Sequence, residues 1–379
     1  MPTFPKTCIT VSMLASVVVA GQVAGDELSD RLDGYLRTLA GNGFAGVVLV
    51  AKDDEIVFQR GYGMADRERK IANTPGTVFP IGSITKQFTA AAILALEMDG
   101  KLRVTDPIER FFEGVPEDKR GITLHQLLTH TAGFRPALGF DFAPIGREEY
   151  VRQALDSKLE HPPGEAHLYS NVGYSLLAAV VEKVTGKSQD AYLREHLFEP
   201  AGMKDTGYLL PEWDRERLAH GYRDGEEWGT LLDHPWAEDG PYWHLRGNGG
   251  ILSTAGDMYR WHLALGGDGI LSARAKEKMY ARHVPEEGGD SYYGYGWSLV
   301  ETRRGTRLVT HNGGNPYFFA DFLRFVDDGV VIFLAANSQG YLMEDAAWEL
   351  ARMIFDPDYR PETKAAPDAA DSTPGPAGP

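Results

Sequence analysis

The sequence predicts an α/β chain of the α+β kind, with an antiparallel sheet flanked by helices and an all-helical region inserted between the sheet's two halves. Three observations predict it. Strand-like runs gather near both ends of the 379-residue chain, at 46–50 and 56–60, then at 294–302, 307–311, 318–326 and 330–336. Turn signals separate neighbouring runs at Lys52-Asp53-Asp54-Glu55, Arg304-Gly305 and Asp328-Gly329, and close hairpins favour antiparallel pairing. Between these ends, from Ser83 to about His283, the chain reads as helix and loop.

Taken in order, the first segment looks like an address rather than structure. Lys6 supplies a positive start, residues 8–20 are mostly apolar, and Val18-Val19-Ala20 offers small residues for cleavage, with a second option near Gly25. Residues 1–25 are therefore read as a cleaved signal peptide, too short for a comfortable membrane span, and the protein as secreted or periplasmic. Leu28, Leu32, Tyr35, Leu36 and Leu39 then mark an amphipathic helix. The folded domain is expected over 26–356, its sheet region formed by 26–82 plus 290–356 and its helical region by about 83–289. A helix over 344–355 closes it. From Pro357 the composition turns to Pro, Ala, Asp and Gly, which predicts a disordered tail over 357–379.

Composition excludes several function classes. Acidic side chains number 54 against 38 basic, a net charge of −16, which repels phosphate backbones and anionic membrane surfaces. No nucleic-acid partner is expected, and no stable membrane insertion once the leader is removed. The sole cysteine, Cys8, lies in the leader. The mature chain would then lack disulfides, thiolate metal sites and a cysteine nucleophile. No metal or other cofactor is implied.

The chemistry starts at Ser83-Ile84-Thr85-Lys86, which places a hydroxyl and an amine three apart, on one face of a helix. The Ala- and Leu-rich run 87–98 continues that helix, with Phe88, Ala91 and Leu94 at helical spacing. Ser83 would sit at its N-terminus, where free backbone N–H groups favour an alkoxide. Tyr169-Ser170-Asn171 follows Pro163-Gly164 and precedes an apolar helix. An ammonium beside Tyr169 would favour its anionic form, so it could take a proton from Ser83. Asn171 could hold Lys86 and donate to a substrate carbonyl. The plainer reading of these three residues is a helix N-cap. His311-Asn312-Gly313-Gly314 ends a predicted strand, and its glycines would let a substrate backbone lie close. The Gly314 and Ser83 amides would make an oxyanion hole, unless the segment is only a Gly-rich turn with a surface histidine. His125 and His130 are five apart, which does not suit a helical zinc pair, and are read as structural. Asn248-Gly249-Gly250 and the Ser253 to Asp257 stretch are read as a turn into a capped helix, with no chemistry.

Five motifs in this order, from the Ser83 tetrad through Leu-Leu-Thr-His-Thr-Ala-Gly, Pro-Gly-x-x-x-x-Tyr-Ser-Asn and Gly-Gly-Ile-Leu-Ser-Thr-Ala-Gly-Asp to His-Asn-Gly, resemble the serine beta-lactamase-related family. That family includes class C beta-lactamases, D-Ala-D-Ala carboxypeptidases, D-aminopeptidases and beta-lactamase-like esterases, and the likeness spans about Leu28 to Phe355. The resemblance implies the beta-lactamase and penicillin-binding-protein-like transpeptidase fold. It also implies that Ser83 is acylated, that Lys86 activates it, and that Tyr169 serves as general base and proton donor, also activating the deacylating water. By the same resemblance Asn171 contacts substrate, and the Ser83 and Gly314 amides hold the oxyanion beside His311 and Gly313. The departure is His311, where many relatives carry the lysine of Lys-Thr-Gly that grips a substrate carboxylate. Losing that charge-assisted contact would cost about 1.5 to 3 kcal/mol, so weak beta-lactam turnover is expected. The function expected is a secreted serine hydrolase for esters, small amides or D-amino-acid peptides. The alternatives are a beta-lactamase or D-Ala-D-Ala carboxypeptidase acting on peptidoglycan-like substrates, or a penicillin-binding sensor that acylates with little turnover. Phe134, Tyr242, Trp243, Tyr317 and Phe318 are candidates to line an acyl pocket.

Overall fold

A computed structural model describes residues 14–286, 288–338 and 341–362. Its centre is an eight-stranded sheet in the order β2-β1-β14-β13-β12-β11-β10-β9. The two N-terminal strands are β1 (Gly46–Lys52) and β2 (Glu55–Tyr62). The C-terminal strands are β9 (Val284–Pro285), β10 (Ser291–Tyr293), β11 (Ser298–Glu301), β12 (Arg307–Asn315), β13 (Phe318–Phe325) and β14 (Val330–Ala336). Every pairing is antiparallel, and β1 joins the two ends of the chain by lying along β14 from Gly46 opposite Ala336 to Lys52 opposite Val330. Shorter pairs lie outside the sheet: β3 (Met64–Asp66) with β4 (Ile71–Ala72), β5 (Phe79–Pro80) with β8 (Leu252–Ser253), and β6 (Gly221–Arg223) with β7 (Glu226–Gly229).

Both faces of the sheet are covered, and the strand period shows how. Val47, Leu49 and Ala51 join the core that holds Phe88, Trp261, Phe322 and Phe333. Val48 and Val50, pointing the other way, join the core of Leu32, Leu36, Leu334, Ala346 and Leu350. A strand buried on both faces must be apolar throughout, which is why 46–50 reads as a continuous hydrophobic run. The second face is closed by α1 (Leu14–Gly41) and α9 (Tyr341–Phe355). On the first face lie α2 (Thr85–Met98) and α7 (Ala255–Gly266), and beyond them the helical region. That region contains α3 (Leu124–Leu128), α4 (Arg147–Asp156), α5 (Asn171–Thr185), α6 (Gln189–Leu193) and α8 (Ala273–Met279).

Three boundaries differ from the sequence expectation. Helix α1 begins at Leu14, ahead of the predicted start, while residues 1–13 of the expected leader lie outside the described residues. No helix among the described residues is long and apolar enough to cross a membrane. Of the strand expected over 294–302 only β11 forms, because Gly294 to Trp297 make the turn that joins it to β10. Gly296 has φ +75°, and a Cβ there would lie 2.8 Å from the Lys86 carbonyl oxygen, so the turn brings this chain against α2. At the C-terminus the described chain extends to Glu362, and the Tyr359 hydroxyl donates to Glu349 at 2.5 Å; the rest of the expected tail, 363–379, lies outside the described residues.

Candidate active site

Helix α2 is buried on nearly all sides: Thr85 to Leu94 and Leu96 are all inaccessible. A helix with no solvent face carries whatever polar group it holds into the interior. Here that group is Lys86, which is 0% exposed. A short 3₁₀ turn, Gly82–Ile84, leads into the helix and presents Ser83, only half-buried, at its mouth. The Lys86 Nζ lies 3.0 Å from the Ser83 Oγ, 2.8 Å from the Asn171 Oδ1 and 2.9 Å from the Asn248 carbonyl oxygen. No carboxylate among the described residues touches it. Burial therefore pushes its pKa well below the usual lysine range, and the distant Asp141 only partly opposes this. That shift favours the uncharged amine, the form with a lone pair for the Ser83 proton.

Tyr169 enters from the segment that caps α5, where the Ser170 side chain accepts the Gly173 amide. The N-cap reading of Tyr169-Ser170-Asn171 thus holds for Ser170, and the cap leaves the Tyr169 and Asn171 side chains free to meet Lys86. The Tyr169 ring centroid is 4.7 Å from the Lys86 Nζ. Burial raises the Tyr169 phenol above the ordinary tyrosine range, the nearby Ser83 hydroxyl opposes the shift, and Glu286 adds to it. Burial works against the sequence argument that a neighbouring ammonium favours the phenolate, since it disfavours the charged amine and the phenolate alike. Tyr169 rests as a phenol, able to donate.

Strand β12 supplies the opposite wall. Its pairing with β11 ends at Thr310, so from His311 onward it has β13 on one side and the Ser83 turn on the other. The approach is close: a Cβ on Gly313 would lie 2.3 Å from the Ser83 nitrogen, and one on Gly82 2.4 Å from the Gly314 nitrogen. Only glycine at both positions lets the Ser83 and Gly314 amides come together. His311 is buried and its two nitrogens are occupied. The Nδ1 donates to the Asn312 carbonyl, and the Nε2 accepts from the Tyr293 hydroxyl at 3.0 Å. Burial lowers its pKa to about 3. Position 311 is therefore electrically neutral.

Two arms of one cleft open from Ser83. The first, about 490 Å³, is lined by Asp141, Phe142, Leu231, Leu245 and Phe318 beside Asn171 and Gly314. The second, about 1290 Å³, holds Tyr169, His311, Tyr293, Glu286, Asp321 and Glu344, and no lysine or arginine among its described lining residues. Of the aromatics expected in the acyl pocket, Phe318 lines the first arm, whereas Phe134 and Trp243 are core residues. Tyr242 packs against that core, and Tyr317 stacks on Trp228. Asn248 was assigned no chemistry from sequence, yet its carbonyl binds Lys86; a main-chain contact leaves no side-chain signature. Asp141 was also missed, for it sits in a loop whose path the sequence does not fix. No cluster that could hold a metal ion occurs among the described residues.

On this sheet-and-helix fold a half-buried hydroxyl at a helix N-terminus thus lies 3.0 Å from a buried amine, beside a close approach of Gly82 to Gly313 and Gly314. The beta-lactamase family model matches residues 15–354, and the chain belongs to that family, within the superfamily of beta-lactamases and penicillin-binding-protein-like serine hydrolases related to D-Ala-D-Ala carboxypeptidases. It is 29% identical over 323 residues to "Penicillin-binding protein 4*" of Bacillus subtilis (strain 168), covering 81% of this chain and 70% of that one. It is 32% identical over 279 residues to "Putative penicillin-binding protein PbpX" of the same organism, covering 74% and 67%. Among solved structures, the octameric penicillin-binding protein homologue from Pyrococcus abyssi superposes with a TM-score of 0.75 at 27% identity, over 86% of this chain and 77% of that one.

Proposed function

We propose that the protein is a secreted or periplasmic serine hydrolase that forms an acyl-enzyme on Ser83 and cleaves esters, small amides or D-amino-acid peptides. The observation that carries this reading is the 3.0 Å contact between the Ser83 hydroxyl and the buried Lys86 amine, whose charged form burial disfavours. Lys86 takes the Ser83 proton as the Oγ bonds to the substrate carbonyl carbon. The Ser83 and Gly314 amides hold the oxyanion, with Asn171, Gly313 and His311 forming the walls. As the bond to the leaving group breaks, the Tyr169 hydroxyl protonates that group and recovers a proton from Lys86. Water then attacks the acyl carbon as the same protons run in reverse.

Tyr169 lines the second arm and not the first, so the second arm takes the leaving group and the first the acyl chain. Glu286 and Glu344 line that second arm without a lysine or arginine, burial raises the Asp321 carboxyl to about 8 and so keeps it uncharged, and His311 is neutral. A leaving group that carries a carboxylate, as D-alanine does, meets repulsion there. That favours esters and uncharged amides over the D-Ala-D-Ala carboxypeptidase reading suggested by the names of the relatives. Purified protein is expected to hydrolyse short-chain p-nitrophenyl esters and to gain the acyl mass on intact-mass analysis. Ser83→Ala should abolish both, and equal rates in variant and wild type would refute the nucleophile assignment.

A further inference from the structure

His130 is a non-glycine residue held at φ +58°, a conformation that costs an L-residue about 1 to 2 kcal/mol. Such an outlier asks for a reason. In this conformation its main chain and its side chain both reach one segment: the His130 carbonyl accepts from the Leu168 amide at 2.9 Å, and its Nδ1 accepts from the Ser170 amide at 3.0 Å. These amides lie on either side of Tyr169. The His130 ring centroid is also 4.2 Å from that of Tyr169, so one residue holds Tyr169 from both neighbours and against its face.

The tautomer makes the arrangement costly. An Nδ1 that accepts leaves the ring proton on Nε2, and that N–H is buried with no hydrogen-bond partner among the described residues. Burial keeps the ring from taking a second proton. If protonated, Nδ1 would turn its N–H against the Ser170 amide and the clamp would open.

We infer that His130 is a positioning residue for the reaction: its two hydrogen bonds around Tyr169 aim the phenol at the leaving group. This rests on the proposed role of Tyr169 as proton donor. The test uses the full chain and two acetate esters. The p-nitrophenyl ester expels a stable anion that needs no proton, whereas ethyl acetate must have its alkoxide protonated. The ratio of their kcat/KM values therefore reads proton donation and is blind to a loss of folded enzyme. His130→Asn keeps an acceptor at the Nδ1 position and tolerates positive φ; His130→Gln moves the acceptor one methylene too far. Tyr169→Phe should raise the ratio about a hundredfold, the scale of general-acid catalysis. His130→Gln should raise it at least tenfold, and His130→Asn should keep it within threefold of wild type. A ratio unchanged in a folded His130→Gln, while Tyr169→Phe shifts it, would overturn the inference alone. An unchanged ratio in Tyr169→Phe would instead overturn the role of Tyr169, and this inference with it. Should His130→Gln not fold, a shifted ratio in folded His130→Asn would overturn the inference, and an unshifted one, with Tyr169→Phe shifted, would uphold it.

Discussion

Lys86→Met is the substitution whose effect the site predicts most sharply, because it separates a pH-dependent term from a fixed one. In the unfolded chain the amine titrates near 10.5, and in the folded protein burial lowers that value well below it. Between the two, the unfolded state binds one more proton than the folded state. Stability of the wild type therefore rises with pH in this window, at up to about 1.36 kcal/mol per pH unit. Lys86 contributes least at low pH and its penalty vanishes above the unfolded value. Methionine fills similar space but leaves the Asn171 Oδ1 and the Asn248 carbonyl without their donor, a fixed cost of about 1 to 3 kcal/mol for each. The measurement is urea unfolding of both proteins at pH 7, 8 and 9. The stability of the variant relative to wild type should fall with rising pH, by up to about 2.7 kcal/mol across those two units. Other titrations cancel in the difference. A difference that is flat, or that grows with pH, would mean that the folded amine is charged and would remove the lone pair the mechanism needs.

The other predictions concern the groups around that amine. Wild-type kcat/KM on a neutral ester should fall as pH drops through the depressed amine pKa, and the His311 ring, neutral down to about pH 3, should add no limb between pH 5 and 8; a stopped pH series reads both. Gly313→Ala puts a methyl 2.3 Å from the Ser83 nitrogen, which should cost about 1 to 3 kcal/mol of stability and widen the oxyanion hole, seen as a lower melting temperature and at least a hundredfold loss of kcat. Nitrocefin turnover should be slow, and its KM should not improve at low salt, since no cation is held at position 311. Among acetate esters of matched size, one with a carboxylate on the leaving group should react about tenfold more slowly than its neutral counterpart at low ionic strength, and salt should narrow the gap.

Much of the fold was written in local pattern. Strands β1, β13 and β14 appear as apolar runs because both faces of each are covered, and Asp328-Gly329 announces the turn between two of them with Gly329 at φ +64°. The run over 294–302 misled because its first four residues look strand-like; they form a turn whose Gly296 answers to α2, some two hundred residues away. The short strands β5 and β8 were illegible for a similar reason, each being two residues long and defined only by the other.

The identity of the proposed reacting groups lay in the chain itself: Ser83, Lys86, Tyr169, Asn171 and the glycines of β12 form spaced motifs, and such motifs survive in one dimension. Their protonation did not. Whether Lys86 carries charge depends on the burial of every face of α2 and on the lack of a carboxylate within reach, and whether Tyr169 donates or accepts follows from that. The Asn248 carbonyl, the occupied nitrogens of His311 and the clamp from His130 are likewise products of chain crossings. Sequence selects which side chains are available; the solvent they lose and the dipoles they meet are properties of packing, and those set the chemistry.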